Sequence, residues 1–228
     1  MAQILLIRHG QASWGKRNYD ALSEKGFEQG KVLGESLKQR GIHPDRIITG
    51  AMVRHQQTAS ACLGAMGLPE KWDEDPRWNE YDHQELIVRH KPLYRSRVIM
   101  LADLARSRQP KKTFQQMFEQ ALDRWTSGEH HSDYHESWPQ FQQRTAAALD
   151  ALSESQARTT LVFTSGGAIS ATVARLWNMP TGQWSRLNRV IANATITKVV
   201  IGRQGTHLST FNDHSHFEGE HRHLLTYR

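Results

Sequence analysis

The chain has 228 residues, one cysteine and a formal charge of +6 with its 13 histidines neutral. That length fits one large domain, or a domain carrying a subdomain, and a lone Cys62 excludes an intrachain disulfide framework and suits a reducing compartment. A sequence pI near 9.6 is compatible with anionic small molecules, nucleic acid or an anionic membrane surface, and selects none of them.

Hydrophobic residues make up 38% of the chain, and seven Trp add enough large apolar area for a sizeable core. No segment approaches the roughly 18 apolar residues of a membrane span. Residues 1–7 lack a basic leader region, and their apolar run is too short for a signal peptide. The expectation is a soluble, cytoplasmic protein.

In chain order, Ile4-Leu5-Leu6-Ile7 reads as a buried strand. It ends in Arg8 and His9 and breaks at Gly10. A cation and an imidazole at the end of a buried strand make poor packing, but they suit a site at the carboxyl edge of an open α/β sheet. After a polar loop, Ser23 is a plausible N-cap for a helix that runs to Gly41. Gly30 and Gly34 inside it are expected to let the helix approach the sheet closely.

Residues 46–49 read as a second strand, and 52–66 as a helix with Ala59, Leu63 and Met66 on one face. Residues 68–75 read as loop, 83–105 as weakly helical, and 111–125 and 138–152 as helices. The β signal returns at 159–164, stops at Ser165-Gly166-Gly167 and passes into a helix over 168–177. Residues 194–201 and 206–211 form a hairpin across the turn at 202–205. The tail after Asp213 is polar and rich in His.

Three segments share one grammar of strand, polar or glycine break, then helix. They predict an α/β class, three-layer α/β/α sandwich with a mainly parallel central sheet and an antiparallel edge. The block at about 76–136 shows no strand pattern and reads as a helical insertion in a single domain spanning 1–228. Ligands in such sheets gather beyond the carboxyl ends of the strands. That rule brings together Arg8, His9, the segment after Thr49, and Ser165-Gly166.

Arg8 and Arg54 offer two guanidinium forks matched to phosphate oxygens, and nearby helix N-termini add backbone donors. A neutral His9 imidazole can attack phosphorus and carry the phosphoryl group. The leaving alcohol needs a proton, and Glu80 or Asp82, in the aromatic loop Trp78-Asn79-Glu80-Tyr81-Asp82, are the carboxyl groups nominated for it.

Arg8-His9-Gly10 at the end of an N-terminal strand resembles the signature of the histidine phosphatase superfamily, also called the phosphoglycerate mutase-like family. The resemblance extends through Leu22-Ser23-Glu24-Lys25-Gly26 and Met52-Val53-Arg54-His55-Gln56-Gln57-Thr58-Ala59. It implies His9 as the phosphorylated histidine, Arg8 and Arg54 as phosphate ligands, and Glu80 as the proton donor, with Gln11 and Ser13 lining the phosphate pocket. It implies no metal and no organic cofactor.

One departure matters: where the family places a second histidine after the late strand, this chain has Ser165, followed by Gly166. A hydroxyl donates one hydrogen bond but carries no charge. Ser165 and the Gly166 amide are therefore expected to close the pocket as neutral donors, with reduced activity. Whether His55 or His214 replaces the missing imidazole in space is left open by the sequence.

The resulting expectation is a phosphomonoesterase acting on a small phosphorylated metabolite or a phosphoprotein. The alternatives are phosphoglycerate mutase-type transfer and a non-catalytic phospho-ligand binder. Eight Lys and Arg between 89 and 112, against the single acid Asp103, read as a solvated helical face, with substrate steering as the alternative; no nucleic-acid module accompanies them. The tail histidines His214, His216, His221 and His223 have poor spacing for a metal. Trp78, Trp125, Trp138, Trp177 and Trp184 read as packing anchors, and Trp14 and Tyr19 as a substrate wall. No membrane or nucleic-acid partner is expected, and a homodimer is compatible with the sequence, although no interface can be read from it.

Overall fold

The computed structural model describes residues 1–13 and 20–227. In chain order the main elements are β1 (Ala2–Arg8), α1 (Glu24–Gln39), β2 (Arg46–Thr49), α2 (Val53–Met66), β3 (Asp73–Glu74), α3 (His83–His90), α4 (Arg97–Ala105), α5 (Pro110–Thr126) and α6 (Trp138–Ser153). They are followed by β4 (Thr159–Thr164), α7 (Gly166–Leu176), α8 (Trp184–Val190), β5 (Ile196–Gly202) and β6 (Gly205–Asp213). Two compact units emerge: Met1–Glu80 with Arg144–Arg228, and Tyr81–Gln143.

The first unit is a three-layer α/β/α sandwich around a six-stranded sheet of order β3-β2-β4-β1-β5-β6. β1, β2 and β3 run parallel to their neighbours in the β3-β2-β4-β1 block, while β5 is antiparallel to β1 and β6 to β5. The register puts Arg8 beside Thr164 and Thr49 beside Phe163, so β1, β2 and β4 end at one level. β4 therefore delivers Ser165 between the chain ends that carry His9 and the first turn of α2.

Alternation along the strands sorts the core. Leu5, Ile7, Leu161 and Phe163 face the apolar side of α1 and α2 through Leu33, Leu37, Ala59, Cys62 and Leu63. Each fully buried Leu, Ile or Phe among them contributes about 1.5–3 kcal/mol. Cys62 is buried there, and burial raises its thiol pKa to about 12, as a core residue requires.

Local chemistry sets the helix ends. Ser23 caps α1 by accepting the Gly26 N–H at 3.1 Å. Gly41 follows that helix at φ +66°, and Gly67 ends α2 at φ +75°, a region open to glycine at little cost.

Several expectations are corrected. Gly30 and Gly34 permit a close helix–helix approach, not a helix–sheet one: a Cβ on Gly34 would stand 2.2 Å from the Cys62 carbonyl oxygen, and one on Gly30 2.9 Å from the Ala61 Cβ. The stretch expected as loop over 68–75 contains β3, whose two exposed acidic residues carry no apolar signal. The weakly helical 83–105 region is two helices separated by a 3-10 turn at Pro92–Arg95, because proline starts but does not continue a helix. α8 carries too short a pattern to have been read. Trp177 is 54% exposed and is no packing anchor, whereas Trp78, Trp125, Trp138 and Trp184 are buried.

The second unit is helical. Tyr81, Trp125, Trp138 and Phe141 form an aromatic cluster, with Tyr81–Trp125 and Trp125–Trp138 ring centroids 5.2 Å apart. Ile87, Tyr94 and Met117 form a smaller core. In the basic stretch, Lys91 pairs with Asp103 at 2.6 Å and Arg89 with Glu85 at 3.4 Å. Among the described residues no helix is long and apolar enough to cross a membrane.

Candidate functional site

His9 follows the last residue of β1 and is held by its own backbone. Its N–H donates to the Thr164 carbonyl at 2.9 Å, and its carbonyl accepts from Ala194 N at 3.3 Å and Asn193 Nδ2 at 3.2 Å. The side chain is nearly buried, with Nδ1 2.7 Å from the Gly10 carbonyl oxygen. A carbonyl only accepts, so Nδ1 carries the proton and Nε2 keeps its lone pair. Burial, then the positive charge of Arg54 and Arg8 and the neighbouring His55, holds the imidazole pKa well below 6.5. The ring is thus neutral at physiological pH.

The loop carrying His9 is strapped from both adjoining helices. Gly10 N–H donates to Thr58 Oγ1 at 3.0 Å, Gln11 N–H to Gln29 Oε1 at 2.7 Å, and Leu22 N–H to Gln57 Oε1 at 2.7 Å. A Cβ on Gly10 would stand 2.4 Å from the Gly26 carbonyl oxygen, and one on Gly26 2.2 Å from that of Gln11. Two backbones pass here with no room for a side chain. That is why the Leu22-to-Gly26 motif ends in glycine.

Arg8 is buried and donates to the Ile191 carbonyl. A Cβ on Gly166 would stand 2.9 Å from Asn188 Oδ1 and 3.5 Å from Arg8 Nε, so the first turn of α7 runs close beside the guanidinium. Arg54 is also buried. Its Nη1 donates to Asp20 at 2.6 Å, and its Nε has no hydrogen-bond partner among the described residues. Glu80 accepts the Gly167 N–H at 3.2 Å, which ties its carboxylate to the same first turn of α7. Asp82 instead caps α3, accepting the N–H groups of Gln84 and Glu85 at 2.9 and 3.0 Å.

Ser165 and Gly166 stand at the start of α7, and Ser165 is wholly buried. Its Oγ is 2.6 Å from His55 Nε2. Gln11 and Ser13 are engaged locally: Gln11 Oε1 accepts from Ser23 Oγ at 3.0 Å, and Ser13 Oγ donates to the Ala21 carbonyl at 3.1 Å. Trp14 and Tyr19 lie outside the described residues.

His9, Arg8, Arg54, Glu80, Ser165 and Gly166 are carried by neighbouring elements of one sheet edge. Sequence reasoning did not nominate Thr58, Gln29, Asn193 or Asp20, whose polar side chains bond across the chain. Thr58 alone carried a signal, lying one helical turn after Arg54. In the tail, His214 Nδ1 bonds the Asn212 carbonyl at 2.7 Å and His216 Nε2 bonds that of Ala194 at 2.9 Å. Among the described residues, no group of three or more His, Cys, Asp or Glu could hold a metal ion.

An α/β/α sandwich with a strand-end His flanked by two arginines defines a class, and comparison with known proteins gives it a name. The model of the histidine phosphatase superfamily (branch 1) matches residues 4–95 and 103–214, and the chain belongs to that family. It is 34% identical over 90 residues to the 2,3-bisphosphoglycerate-dependent phosphoglycerate mutase of Chelativorans sp., a match covering 36% of this chain and 44% of that protein. The chain thus spans less than half the length of that curated relative. The phosphoglycerate mutase structure from Bacillus anthracis matches 94% of each chain at TM-score 0.65 and 20% identity. A phosphoserine phosphatase from Entamoeba histolytica matches 95% of this chain and 99% of its own at TM-score 0.64 and 17% identity. At such identities the likeness is one of fold.

Proposed function

We propose that the protein hydrolyses phosphomonoesters through a phosphohistidine formed on His9. The observation that carries this reading is the geometry of the imidazole: Nδ1 is 2.7 Å from the Gly10 carbonyl oxygen, which commits the proton there and keeps the Nε2 lone pair, while burial first and the guanidinium groups of Arg54 and Arg8 next favour the neutral ring. Nε2 attacks phosphorus and the P–O bond to the alcohol breaks. Glu80 gives its proton to the departing oxygen. Arg8 and Arg54 balance the charge on the equatorial oxygens, and Ser165 and the Gly166 amide donate to them. Water then attacks phosphorus as the N–P bond breaks, Glu80 takes a proton from that water, and His9 leaves as the neutral base. Gln11 and Ser13 shape the loop beneath.

The substrate class is a small phosphorylated metabolite or a phosphorylated side chain. The match to mutases supports a second reading, in which the phosphoenzyme survives long enough to pass its group to a bound acceptor. Brief incubation with a 32P-labelled phosphomonoester, quenched in base, tests the proposal, since phosphohistidine is stable to base and labile to acid. Label on the wild type that is lost in His9→Ala, with phosphate released, is expected. A long-lived label discharged only by a phosphorylated acceptor favours the mutase reading. Tight phosphate binding with no label and no release overturns both in favour of a binding protein.

A further inference from the structure

His55 occupies the third position of α2, just past the carboxyl end of β2. β4 lies between β2 and β1, so Ser165, the residue that follows it, falls between the chain leading into α2 and the chain carrying His9. The His55 ring fills that space. Its Nε2 is 2.6 Å from Ser165 Oγ, its ring centroid is 5.8 Å from that of His9, and both His55 and Ser165 have no exposed surface. The opposite edge of the ring lies against bare backbone: a Cβ on Gly50 would stand 2.4 Å from His55 Nδ1, which makes no hydrogen bond among the described residues. Turning the ring would break its bond to Ser165.

Ser165 needs such an anchor. It is the N-cap residue of α7, yet its side chain makes no capping bond to that helix. A serine hydroxyl rotates freely unless one partner fixes it, and a donor aimed in advance at developing charge is worth more than one that must be oriented during reaction. Burying two polar groups is also costly unless each satisfies the other.

We propose that His55 is a positioning residue for phosphoryl transfer: with its ring proton on Nε2 it donates to Ser165 Oγ, which leaves the hydroxyl's own proton to be aimed at the group bound at His9, Arg8 and Arg54. The proposal rests on the functional reading above and adds a residue to it. The effect of His55 passes through one oxygen, which makes the pair a single unit.

A double-mutant cycle tests this with His55→Ala, Ser165→Ala and the double variant, plus His55→Gln, whose amide still reaches Ser165. The assay is p-nitrophenyl phosphate hydrolysis with parallel base-quenched labelling and a thermal unfolding check. Each alanine variant should lower kcat roughly 100- to 1,000-fold with KM little changed, as for the loss of one preorganised donor. The double variant should lose no more than the worse single one, and His55→Gln should return to within a few fold of wild type. Losses that multiply, or a His55→Ala enzyme with wild-type kcat, overturn the proposal. If His55→Ala does not fold, Ser165→Ala and His55→Gln decide: equal large losses in both count against positioning, while a loss in the first alone supports it. A wild type that never labels overturns the functional reading and this proposal together, whereas normal labelling with an unchanged Ser165→Ala rate overturns this proposal alone.

Discussion

The carboxylate of Asp20 accepts from Arg54 Nη1 at 2.6 Å and, with its other oxygen, from the Val53 N–H at 2.9 Å. Asp20 is thereby pinned to the start of α2, a helix whose N-cap residue Met52 offers no side-chain acceptor. The pinned carboxylate fixes the guanidinium, whose Nε makes no hydrogen bond among the described residues and would face the phosphate on the proposed reading. Asp20→Asn should raise KM for a phosphomonoester about fivefold, close to 1 kcal/mol of lost orientation, with kcat nearly constant. Steady-state kinetics at fixed ionic strength would show it. An unchanged KM would mean that Arg54 is aimed by packing alone.

Thr58 Oγ1 accepts from Gly10 N–H and donates to the Arg54 carbonyl at 2.7 Å, so a single hydroxyl ties the His9 loop to α2. Thr58→Val keeps the shape and removes the acceptor. A buried N–H left unpaired costs about 1–3 kcal/mol, and a shift of the nucleophile by about 1 Å costs on the order of 100-fold in rate. Urea titration and kcat should both fall for Thr58→Val and recover in Thr58→Ser.

Acid should weaken the fold before it strips carboxylates. His9 and His55 are held well below 6.5, each first by burial and next by Arg54. Burial also takes His216 down to about 4. Between their folded and unfolded pKa values, the unfolded chain binds more protons. Stability therefore rises with pH up to about 6.5 and levels off above it. His216 alone should lose about 2 kcal/mol between pH 7 and 5. His216→Gln retains a donor for the Ala194 carbonyl and should flatten the melting-temperature profile over that range. A Tm independent of pH from 7 to 5 in the wild type would contradict the burial of these rings.

The contact between α1 and α2 gives a paired test. Gly34→Ala forces a Cβ to within 2.2 Å of the Cys62 carbonyl oxygen, whereas a Cβ at Gly64 meets nothing within 4 Å. The first substitution should cost about 1–3 kcal/mol by overpacking. Gly64→Ala should add about 0.5–1 kcal/mol by restricting the unfolded chain inside a helix. Calorimetry on the two variants should move Tm in opposite directions.

Much of this was legible in the residues because it was local. Ile4 to Ile7 are apolar on both faces, so a buried strand follows from the run itself, and glycines or polar breaks mark where the strands end. Ser23 caps its helix by a bond to Gly26, three residues away. The fold class, the parallel grammar and the motifs around His9 and Arg54 are of this kind.

Other features depend on which strand lies beside which, and no local pattern carries that. Gly30 and Gly34 read as sites of close approach, but the partner proved to be α2, 28 residues and more along the chain from the contacts they make. The residues alone nominated Glu80 or Asp82 and the resemblance implied Glu80; the different settings of the two, one carboxylate bonded at the start of α7 and the other capping α3, could not be read from the chain. The bond between His55 and Ser165 joins residues 110 positions apart, and it exists because β4 runs between β1 and β2. Short-range sterics and solvent transfer act along the chain and can be read from it. Hydrogen bonds between distant side chains are set by strand order, which only the packed sheet decides.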